Sequence, residues 1–282
     1  MSDFEAASGD KVVVLGGAGV TGTATLPRLV EAGYAVTAHS RSPRAGGGPV
    51  TWASGDIITD RAALRDLLDG AAAVFDLRVA LPTSLRTAGA IRQYKAVRDT
   101  AVREVVDACM HLGVPRLVHD TVTMVYRDGG DRWLDEDSPV NAPGPMKANL
   151  AGEEHLRRFT EGGGIGVDLR LGMLHGDDPM TAMIENTARK GWLAIPGRRD
   201  GYLSMLPIED AGAALAAALA VPAGIYNVAA EPITRANYGR ALAEKVGRAS
   251  LRALPGFLGG PLGRSQRVSS AKFRAAAGWA PA

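Results

Sequence analysis

A glycine-rich segment near the start of the chain constrains its fold more than any other feature. Residues 16–22 read GGAGVTG and directly follow the apolar run KVVVL at residues 11–15. A β-branched run of this length is typical of a buried parallel strand, and the apolar spacing after the glycines predicts a helix closed by Gly33. Gly16, Gly19 and Gly22 permit a tight turn and a close approach of the backbone to a pyrophosphate.

This strand–turn–helix arrangement predicts a dinucleotide-binding site. A helix N-terminus offers free amides and a partial positive charge to phosphate groups. We expect the cofactor to contact five residues of the turn and of the first helical turn, namely Gly16, Gly19, Val20, Thr21 and Gly22. The alternative interpretation is a glycine turn with a purely structural role.

Short apolar runs then alternate with helical patterns as far as residue 170. Such alternation implies βαβ units and a parallel sheet, because each crossover helix covers one face of the sheet. We therefore predict an α/β fold with a doubly wound parallel sheet, the NAD(P)-binding Rossmann fold. The predicted strands are 35–40, 50–52, 72–77, 116–120 and 166–170, and the predicted helices are 60–68, 93–112 and 147–161.

Beyond residue 175 strands and helices no longer alternate regularly, which predicts a small C-terminal substrate lobe. A helix at 180–190 stands outside the alternation, and Thr234 can cap a helix that ends at Gly247. Strands are expected at 204–208 and 225–228. We divide the chain into a disordered tail (1–10), a nucleotide-binding domain (11–175 with 204–230) and a substrate-binding lobe (176–203 with 231–282).

Composition excludes several classes of protein. The chain has 282 residues, of which 46% are apolar, and its net charge of +2 gives no general attraction to nucleic acid or to anionic membranes. No run approaches the roughly 18 apolar residues that a membrane span needs, and no signal peptide is visible, so we expect a cytoplasmic protein. The single cysteine, Cys109, permits no intrachain disulfide, and the five histidines show no metal-ligand spacing.

The end of the second predicted strand bears on the choice of cofactor. A carboxylate at this place would bind the ribose 2′-hydroxyl of NAD and repel a 2′-phosphate. The chain instead has HSRSPR at residues 39–44. We expect Ser40, Arg41 and Arg44 to contact the cofactor, with the two arginines binding a 2′-phosphate, which favours NADP over NAD. The alternative is that both arginines are merely solvated.

Several short segments follow one another in the order of a known family. They are GDI at 55–57, GVPRLV at 113–118, VY at 125–126, RLGMLHG at 170–176, PIED at 207–210, GIYNV at 224–228 and the stretch 267–279. With the glycine-rich segment, they resemble the extended or atypical branch of the short-chain dehydrogenase/reductase superfamily, which is NAD-dependent epimerase/dehydratase-like. The resemblance covers residues 11 to 282.

The resemblance implies further contacts with the cofactor. Asp56 and Ile57 occupy the segment that contacts adenine in the family. The chain is expected to pass the nicotinamide side of the crevice at the end of the fourth strand, because ligands lie at the carboxyl ends of strands in such sheets. The residues expected on that side are Leu77, Arg78, Val79, Lys147, Met173 and Leu174.

The departures from the family pattern concern its catalytic groups. Oxidoreductases of the family use a Tyr-x-x-x-Lys pair, in which the tyrosine moves the proton that accompanies hydride transfer. Lys147 matches the lysine, but Pro143 stands at the tyrosine position, and a proline has no proton to donate. Val122 stands at the catalytic serine or threonine position, and Arg98 at the supporting asparagine.

Other polar residues near the predicted crevice are candidates for the missing chemistry. Asp76 and Asp120 end the fourth and fifth strands, which brings them towards one edge of the sheet. The alternative is a salt-bridge network that replaces the lost groups structurally, and Tyr126 fits a packing role at least as well as that of an acid. The candidate catalytic residues are Asp76, Arg78, Arg98, Asp120, Thr121, Thr123, Tyr126 and Lys147.

Three functions remain open at this point. The first is an NADP(H)-dependent reductase or dehydrogenase acting on a small, largely apolar metabolite, with another donor or water in place of the tyrosine. The second is a redox-neutral cyclase, isomerase or dehydratase, and the third is a non-catalytic dinucleotide sensor. The methionine-rich segment 173–205 suits an apolar substrate, although it equally suits an ordinary core. A homodimer is a further expectation.

Overall fold

The computed structural model describes residues 7–45, 48–78, 88–254 and 260–282. Most of its longer strands lie in one sheet, and the two-residue strands form small ladders outside it. In chain order the strands are β1 (Lys11–Leu15), β2 (Ala35–Ser40), β3 (Thr51–Ser54), β4 (Ala73–Asp76), β5 (Arg116–Val122), β6 (Trp133–Leu134), β7 (Ile165–Leu171), β8 (Met173–His175), β9 (Trp192–Leu193), β10 (Tyr202–Leu203), β11 (Met205–Pro207), β12 (Gly224–Val228), β13 (Ile233–Thr234), β14 (Arg252–Ala253) and β15 (Arg267–Val268).

The helices connect these strands and cover the sheet. A five-residue π-helical turn, Ala96–Thr100, joins the third helix to the fourth. In chain order the helices are α1 (Val20–Glu31), α2 (Arg61–Leu68), α3 (Ala88–Lys95), α4 (Ala101–Leu112), α5 (Lys147–Glu161), α6 (Pro179–Arg189), α7 (Ile208–Ala217), α8 (Arg235–Lys245) and α9 (Ala271–Ala277).

The central sheet has seven parallel strands in the order β12-β7-β5-β4-β1-β2-β3. Successive residues of a strand point to opposite faces, and in β1 both faces are buried. Val12 and Val14 pack in the cluster that includes residues of α1 and α7, whereas Val13 and Leu15 pack in the cluster of α2, α4 and α5. The doubly wound α/β fold predicted from the sequence is confirmed.

The strand order reverses direction between β1 and β4, which creates the crevice where such sheets bind ligands. The chain runs from β1 outward through β2 and β3 on one side, and through β4, β5, β7 and β12 on the other. Leu15 of β1 is in register with Asp76 of β4 and with His39 of β2. The ends of these three strands therefore lie side by side below the glycine-rich segment.

A separate apolar cluster holds the region that contains α6 and α8. Ile184, Leu203 and Leu242 are among its buried members, and Met173 packs against it. The strand expected at 204–208 is β11, and it pairs with β8 instead of joining the central sheet. The helix expected at 93–112 begins earlier, at Ala88, and is interrupted by the π-helical turn. Among the described residues, no helix is long and apolar enough to cross a lipid bilayer.

Candidate functional site

The glycine-rich turn packs directly against the end of β4. Gly16 has a φ of +82°, and a Cβ there would lie 2.6 Å from the carbonyl oxygen of Leu77. A Cβ on Gly22 would lie 2.4 Å from the carbonyl oxygen of Gly16. Gly19 differs, because its extended φ of −77° suits any residue and its Cβ would meet a single contact, 3.1 Å from the Gly16 oxygen. Gly16 and Gly22 are therefore required by the close packing of the backbone around them. Gly19 is not, and it leaves room above the turn.

The N-terminus of α1 meets the requirements of a phosphate site. Gly19 is the N-cap and has no side chain to accept from the first amides of the helix. The amides of Val20 and Thr21 belong to the group that an α-helix cannot satisfy internally, so they are available to phosphate oxygens. The room above Gly19 lets a ligand approach them. These residues fit the pyrophosphate of a dinucleotide.

The end of β2 has no carboxylate. His39 is buried, its Nε2 lies 3.1 Å from the carbonyl oxygen of Gly55, and burial holds its pKa below the usual value. The hydroxyl of Ser40 donates to the carbonyl of Ser42 at 2.5 Å. Arg41 and Arg44 are both exposed.

Aromatic and acidic groups border the same edge. The guanidinium of Arg44 lies 5.7 Å from the ring centroid of Trp52 on β3. The carboxylate of Asp56 accepts from the hydroxyl of Thr59 at 2.7 Å and from the amide of Ile58 at 2.9 Å, and these bonds lower its pKa. Ile57 is buried in the core beside α2. Asp56 therefore shapes the turn after β3, and its expected contact with adenine stays a prediction.

Asp76 and Arg78 form a bidentate ion pair at the end of β4. Arg78 donates through Nε to Oδ1 and through Nη2 to Oδ2, both at 2.7 Å, and Nη2 also reaches the carbonyl of Ala101 at 3.0 Å. Burial acts to raise the pKa of Asp76, but the charge and hydrogen bonds of Arg78 lower it overall. Asp76 is therefore an ionised carboxylate with both oxygens engaged.

Arg98 and Asp120 form a second ion pair beside the first. Arg98 is 1% exposed, and its Nη1 lies 3.1 Å from Oδ1 of Asp120. It also donates to the carbonyl of Asp120 at 2.5 Å and, through Nε, to Oδ1 of Asn149 at 3.0 Å. Thr21 of α1 donates its hydroxyl to Oδ2 of Asp120 at 3.3 Å. This pair thus connects α1 to β5 and α5.

The two ion pairs are joined into one buried group. Nη1 of Arg98 lies 3.4 Å from the carbonyl oxygen of Arg78. Burial acts to lower the pKa of Arg98, but the neighbouring Asp120 raises it overall, so the guanidinium stays charged. Four of the residues expected to cluster, Asp76, Arg78, Arg98 and Asp120, do so. Their donors and acceptors are used largely on one another, which suits the positioning of backbone better than proton transfer.

Thr121 and Tyr126 belong to a different polar network inside the sheet. Thr121 donates to Asp168 at 2.6 Å. The Tyr126 hydroxyl accepts from Arg170 at 2.8 Å and donates to Asn227 at 2.8 Å. Burial raises the pKa of Tyr126 to about 12, and the residue has no exposed surface. These contacts favour the packing role of Tyr126 over that of an acid.

Sequence reasoning missed the partners of these networks. Asn149 and Glu153 lie on the buried face of α5, and Asp168 and Arg170 share one face of β7. Two charged residues two positions apart in an otherwise apolar strand, and two polar residues four apart on a helix, point to a buried network. These signals were present in the sequence.

An open cleft lies between the ends of the sheet and the α6–α8 region. Thr123 is 1% exposed and borders this cleft, and Met173 lies beside it. Leu174 packs against the main core. The side chains that line the cleft are Thr123, Met124, Met173, Ile195, Tyr202, Leu203, Ser204, Arg235, Pro261, Leu262, Arg264 and Gln266.

The segment around Pro143, where the family resemblance places the catalytic tyrosine, is a short helical turn. Pro143 is the N-cap of a 3₁₀ turn, Gly144–Met146, which leads directly into α5. Lys147 is the first residue of α5 and its side chain is exposed. Leu77 is buried at the end of β4. The prediction for Val79 lies outside the described residues.

The chain matches the family model described as the NAD dependent epimerase/dehydratase family over residues 12–229. It is 28% identical, over 305 aligned positions covering 96% of each chain, to a Streptomyces protein named 3-diazoavenalumate denitrifying reductase. Among solved structures, it superposes on MoeE5 in complex with UDP-glucuronic acid and NAD with a TM-score of 0.81 and 23% identity, over 97% of this chain and 94% of that one.

A second solved structure is the epimerase Mth375 of Methanothermobacter thermautotrophicus, with a TM-score of 0.82 and 18% identity over 99% of this chain and 90% of that one. A third is UDP-glucuronic acid 4-epimerase of Bacillus cereus in complex with UDP-glucuronic acid and NAD, with a TM-score of 0.80 and 17% identity over 96% and 94% of the two chains. At these identities the likeness concerns the fold.

Proposed function

Because the chain belongs to the NAD dependent epimerase/dehydratase family, we propose that it is an NADP(H)-dependent reductase whose substrate accepts hydride without a proton from the enzyme. The observation that carries this proposal is Pro143. The chain combines a glycine-rich turn that needs its glycines with a proline at the position where the family resemblance places the usual proton donor. The chain keeps the means to hold a nicotinamide cofactor and lacks the usual means to protonate a reduced carbonyl.

The preference for NADP depends on the edge of the sheet at β2. The first amides of α1 would bind the pyrophosphate, and Arg41 and Arg44 would bind the 2′-phosphate. No carboxylate at the end of β2 opposes a 2′-phosphate. Lys147, at the start of α5, would bind the nicotinamide ribose, as the family resemblance implies.

The missing donor restricts the substrate to certain electrophiles. When bound, the reduced nicotinamide supplies a hydride. Reduction of a carbonyl also requires a proton at oxygen, whereas replacement of a diazonium group requires none. In that replacement a C–H bond forms with the hydride pair, the C–N bond breaks, and dinitrogen leaves with the bonding electrons. The name of the Streptomyces relative supports a diazo compound as the substrate class.

The residues of the cleft suit such an electrophile. Met124, Met173 and Leu203 present apolar surface in the cleft, which favours a small, largely apolar substrate and limits the access of water. Water would compete with hydride for the carbon that loses dinitrogen. The buried pairs Asp76–Arg78 and Arg98–Asp120 would hold the ends of β4 and β5 in place beneath the cofactor.

The test is turnover of 3-diazoavenalumate by the purified protein with NADPH. We expect oxidation of NADPH and release of one dinitrogen for each NADPH consumed, above the rate without protein. Gly19→Val serves as the matched protein control, because it is designed to block the cofactor alone. Consumption of the diazo compound without oxidation of NADPH would contradict a reductase and favour the redox-neutral alternative.

A further inference from the structure

Arg235, the first residue of α8, carries a guanidinium that the protein only partly satisfies. The residue is 2% exposed. Its Nη2 donates to the carbonyls of Leu262, at 2.7 Å, and Arg264, at 2.5 Å. Its Nε and Nη1 are buried and have no hydrogen-bond partner among the described residues. Three N–H groups of this charged side chain thus have no acceptor within the described part of the chain.

Three other buried arginines are each paired with a carboxylate. Arg78 lies 2.7 Å from Asp76, Arg98 lies 3.1 Å from Asp120, and Arg170 lies 2.7 Å from Glu153. Arg235 forms no ion pair with any carboxylate of the described residues. A buried charge without a counter-charge is costly, and buried polar groups without partners are rare in folded proteins.

The surrounding chain makes room for this guanidinium. A Cβ on Gly197 would lie 2.7 Å from Cζ of Arg235, and a Cβ on Gly201 would lie 2.6 Å from Nη1. Arg235 also lines the cleft described above, together with Ser204, whose buried hydroxyl has no partner among the described residues either. Two unsatisfied polar groups therefore border a cleft that is otherwise largely apolar.

We propose that Arg235 is a binding site for a carboxylate of the substrate. The proposal rests on the reductase function and specifies the substrate as an apolar molecule with one carboxylate. Nη1 of Arg264, the other arginine of the described cleft lining, already donates to the carbonyls of Tyr126 and Asn141, whereas Nε and Nη1 of Arg235 have no acceptor there. A substrate carboxylate would supply acceptors for those N–H groups, and the bonds would be charge-assisted.

Titration calorimetry with cinnamate and its neutral analogue cinnamamide tests this proposal. We expect wild-type protein loaded with NADPH to bind cinnamate at least about tenfold more tightly than cinnamamide. Arg235→Gln keeps an amide that can donate to the carbonyls of Leu262 and Arg264, and it should lose that preference. The matched control is Arg240→Gln, which removes the same charge from an exposed position of α8 and should bind like wild type.

Equal affinity of the wild type for cinnamate and cinnamamide would overturn the proposal. This comparison uses the wild type alone, so it tests the proposal even if the Arg235→Gln variant folds poorly. Retention of the preference by a folded Arg235→Gln variant would overturn it as well, as would tighter binding of inorganic phosphate than of cinnamate. The titrations are repeated without cofactor. Selective binding of cinnamate by a protein that fails to bind NADPH would support the carboxylate site while refuting the reductase function.

Discussion

Individual glycines of the glycine-rich turn differ in how closely the surrounding backbone approaches them. A Cβ at Gly22 would collide with the backbone of Gly16 at 2.4 Å, whereas one at Gly19 would make a single tight contact of 3.1 Å with the Gly16 oxygen. Both positions are glycine in the same short motif. The structure assigns them different roles, which makes the pair a matched set for mutation.

We expect Gly19→Val to abolish NADPH binding and leave the unfolding midpoint in urea close to that of the wild type. Gly22→Val should instead destabilise the fold, because the 2.4 Å approach to the Gly16 oxygen cannot be relieved by rotating a side chain. Circular dichroism during urea unfolding and a cofactor titration measure the two effects. Wild-type NADPH affinity in a folded Gly19→Val variant would refute the phosphate site.

The arginines after β2 determine the expected choice between NADPH and NADH. A charge-assisted bond to a 2′-phosphate corresponds to about a tenfold or larger change in affinity. Arg41→Gln and Arg44→Gln should each weaken NADPH binding by about that factor and leave NADH binding unchanged. Calorimetric titration of both cofactors measures this preference, with Arg240→Gln as the control. Equal affinity of the wild type for NADPH and NADH would show that these arginines are only solvated.

His39 should make the stability of the protein depend on pH. Burial lowers its folded-state pKa, with a further contribution from Arg78, so protonation favours the unfolded chain. Its stabilisation is complete above the unfolded pKa of about 6.5 and is lost as pH falls through the folded pKa. His39→Gln should reduce the loss of unfolding free energy between about pH 7 and about pH 5. Urea titrations test this, with exposed His111→Gln as control. An unchanged slope would contradict the account.

At the residue scale, the sequence predicted the backbone part of the site better than its side chains. The glycine turn follows from local conformational rules, so Gly16, Gly19 and Gly22 were identifiable without the fold. The pairing of Thr121 with Asp168 and of Tyr126 with Asn227 was not identifiable, because these partners lie on strands far away in the chain. Thr121 and Tyr126 lie close in sequence to the end of β5, which suggested that both face the crevice. In the structure both side chains are buried in the interior.

At the scale of elements, the junction between α3 and α4 is organised around Arg98. This arginine lies in the π-helical turn Ala96–Thr100 and reaches β5 and α5 through Asp120 and Asn149. The apolar periodicity of the sequence predicts one continuous helix over 93–112. A single widened turn changes that periodicity too little to be detected. The widened turn coincides with the buried guanidinium, and such turns are frequent at functional sites.

We expect Arg98→Met to destabilise the protein by about 3–5 kcal/mol, because it leaves the carboxylate of Asp120 buried without its counter-charge. The double variant Arg98→Met/Asp120→Leu should recover a large part of that loss, since both charges are then absent. Urea unfolding followed by circular dichroism provides the two free energies. Strictly additive losses in the double variant would mean that the pair does not couple these elements.

At the scale of the whole molecule, the order of strands was largely accessible from the sequence. Alternating buried runs and amphipathic helices predicted the doubly wound sheet and the crevice at its carboxyl edge. The cleft lining was less accessible, because Thr123, Ser204, Arg235 and Gln266 come from four separate stretches of chain. Only the tertiary fold brings these four stretches together, and no local pattern encodes it.

The central claim is a reductase that delivers hydride without an enzymatic proton. The most direct measurement is single turnover of 3-diazoavenalumate with NADPH deuterated at the transferred position of nicotinamide C4, paired with unlabelled NADPH in deuterium oxide. The account predicts deuterium at the former C–N carbon in the first experiment, none in the second, and no solvent isotope effect on the rate. Deuterium incorporated from solvent, or a turnover that leaves the label on the cofactor, would contradict it.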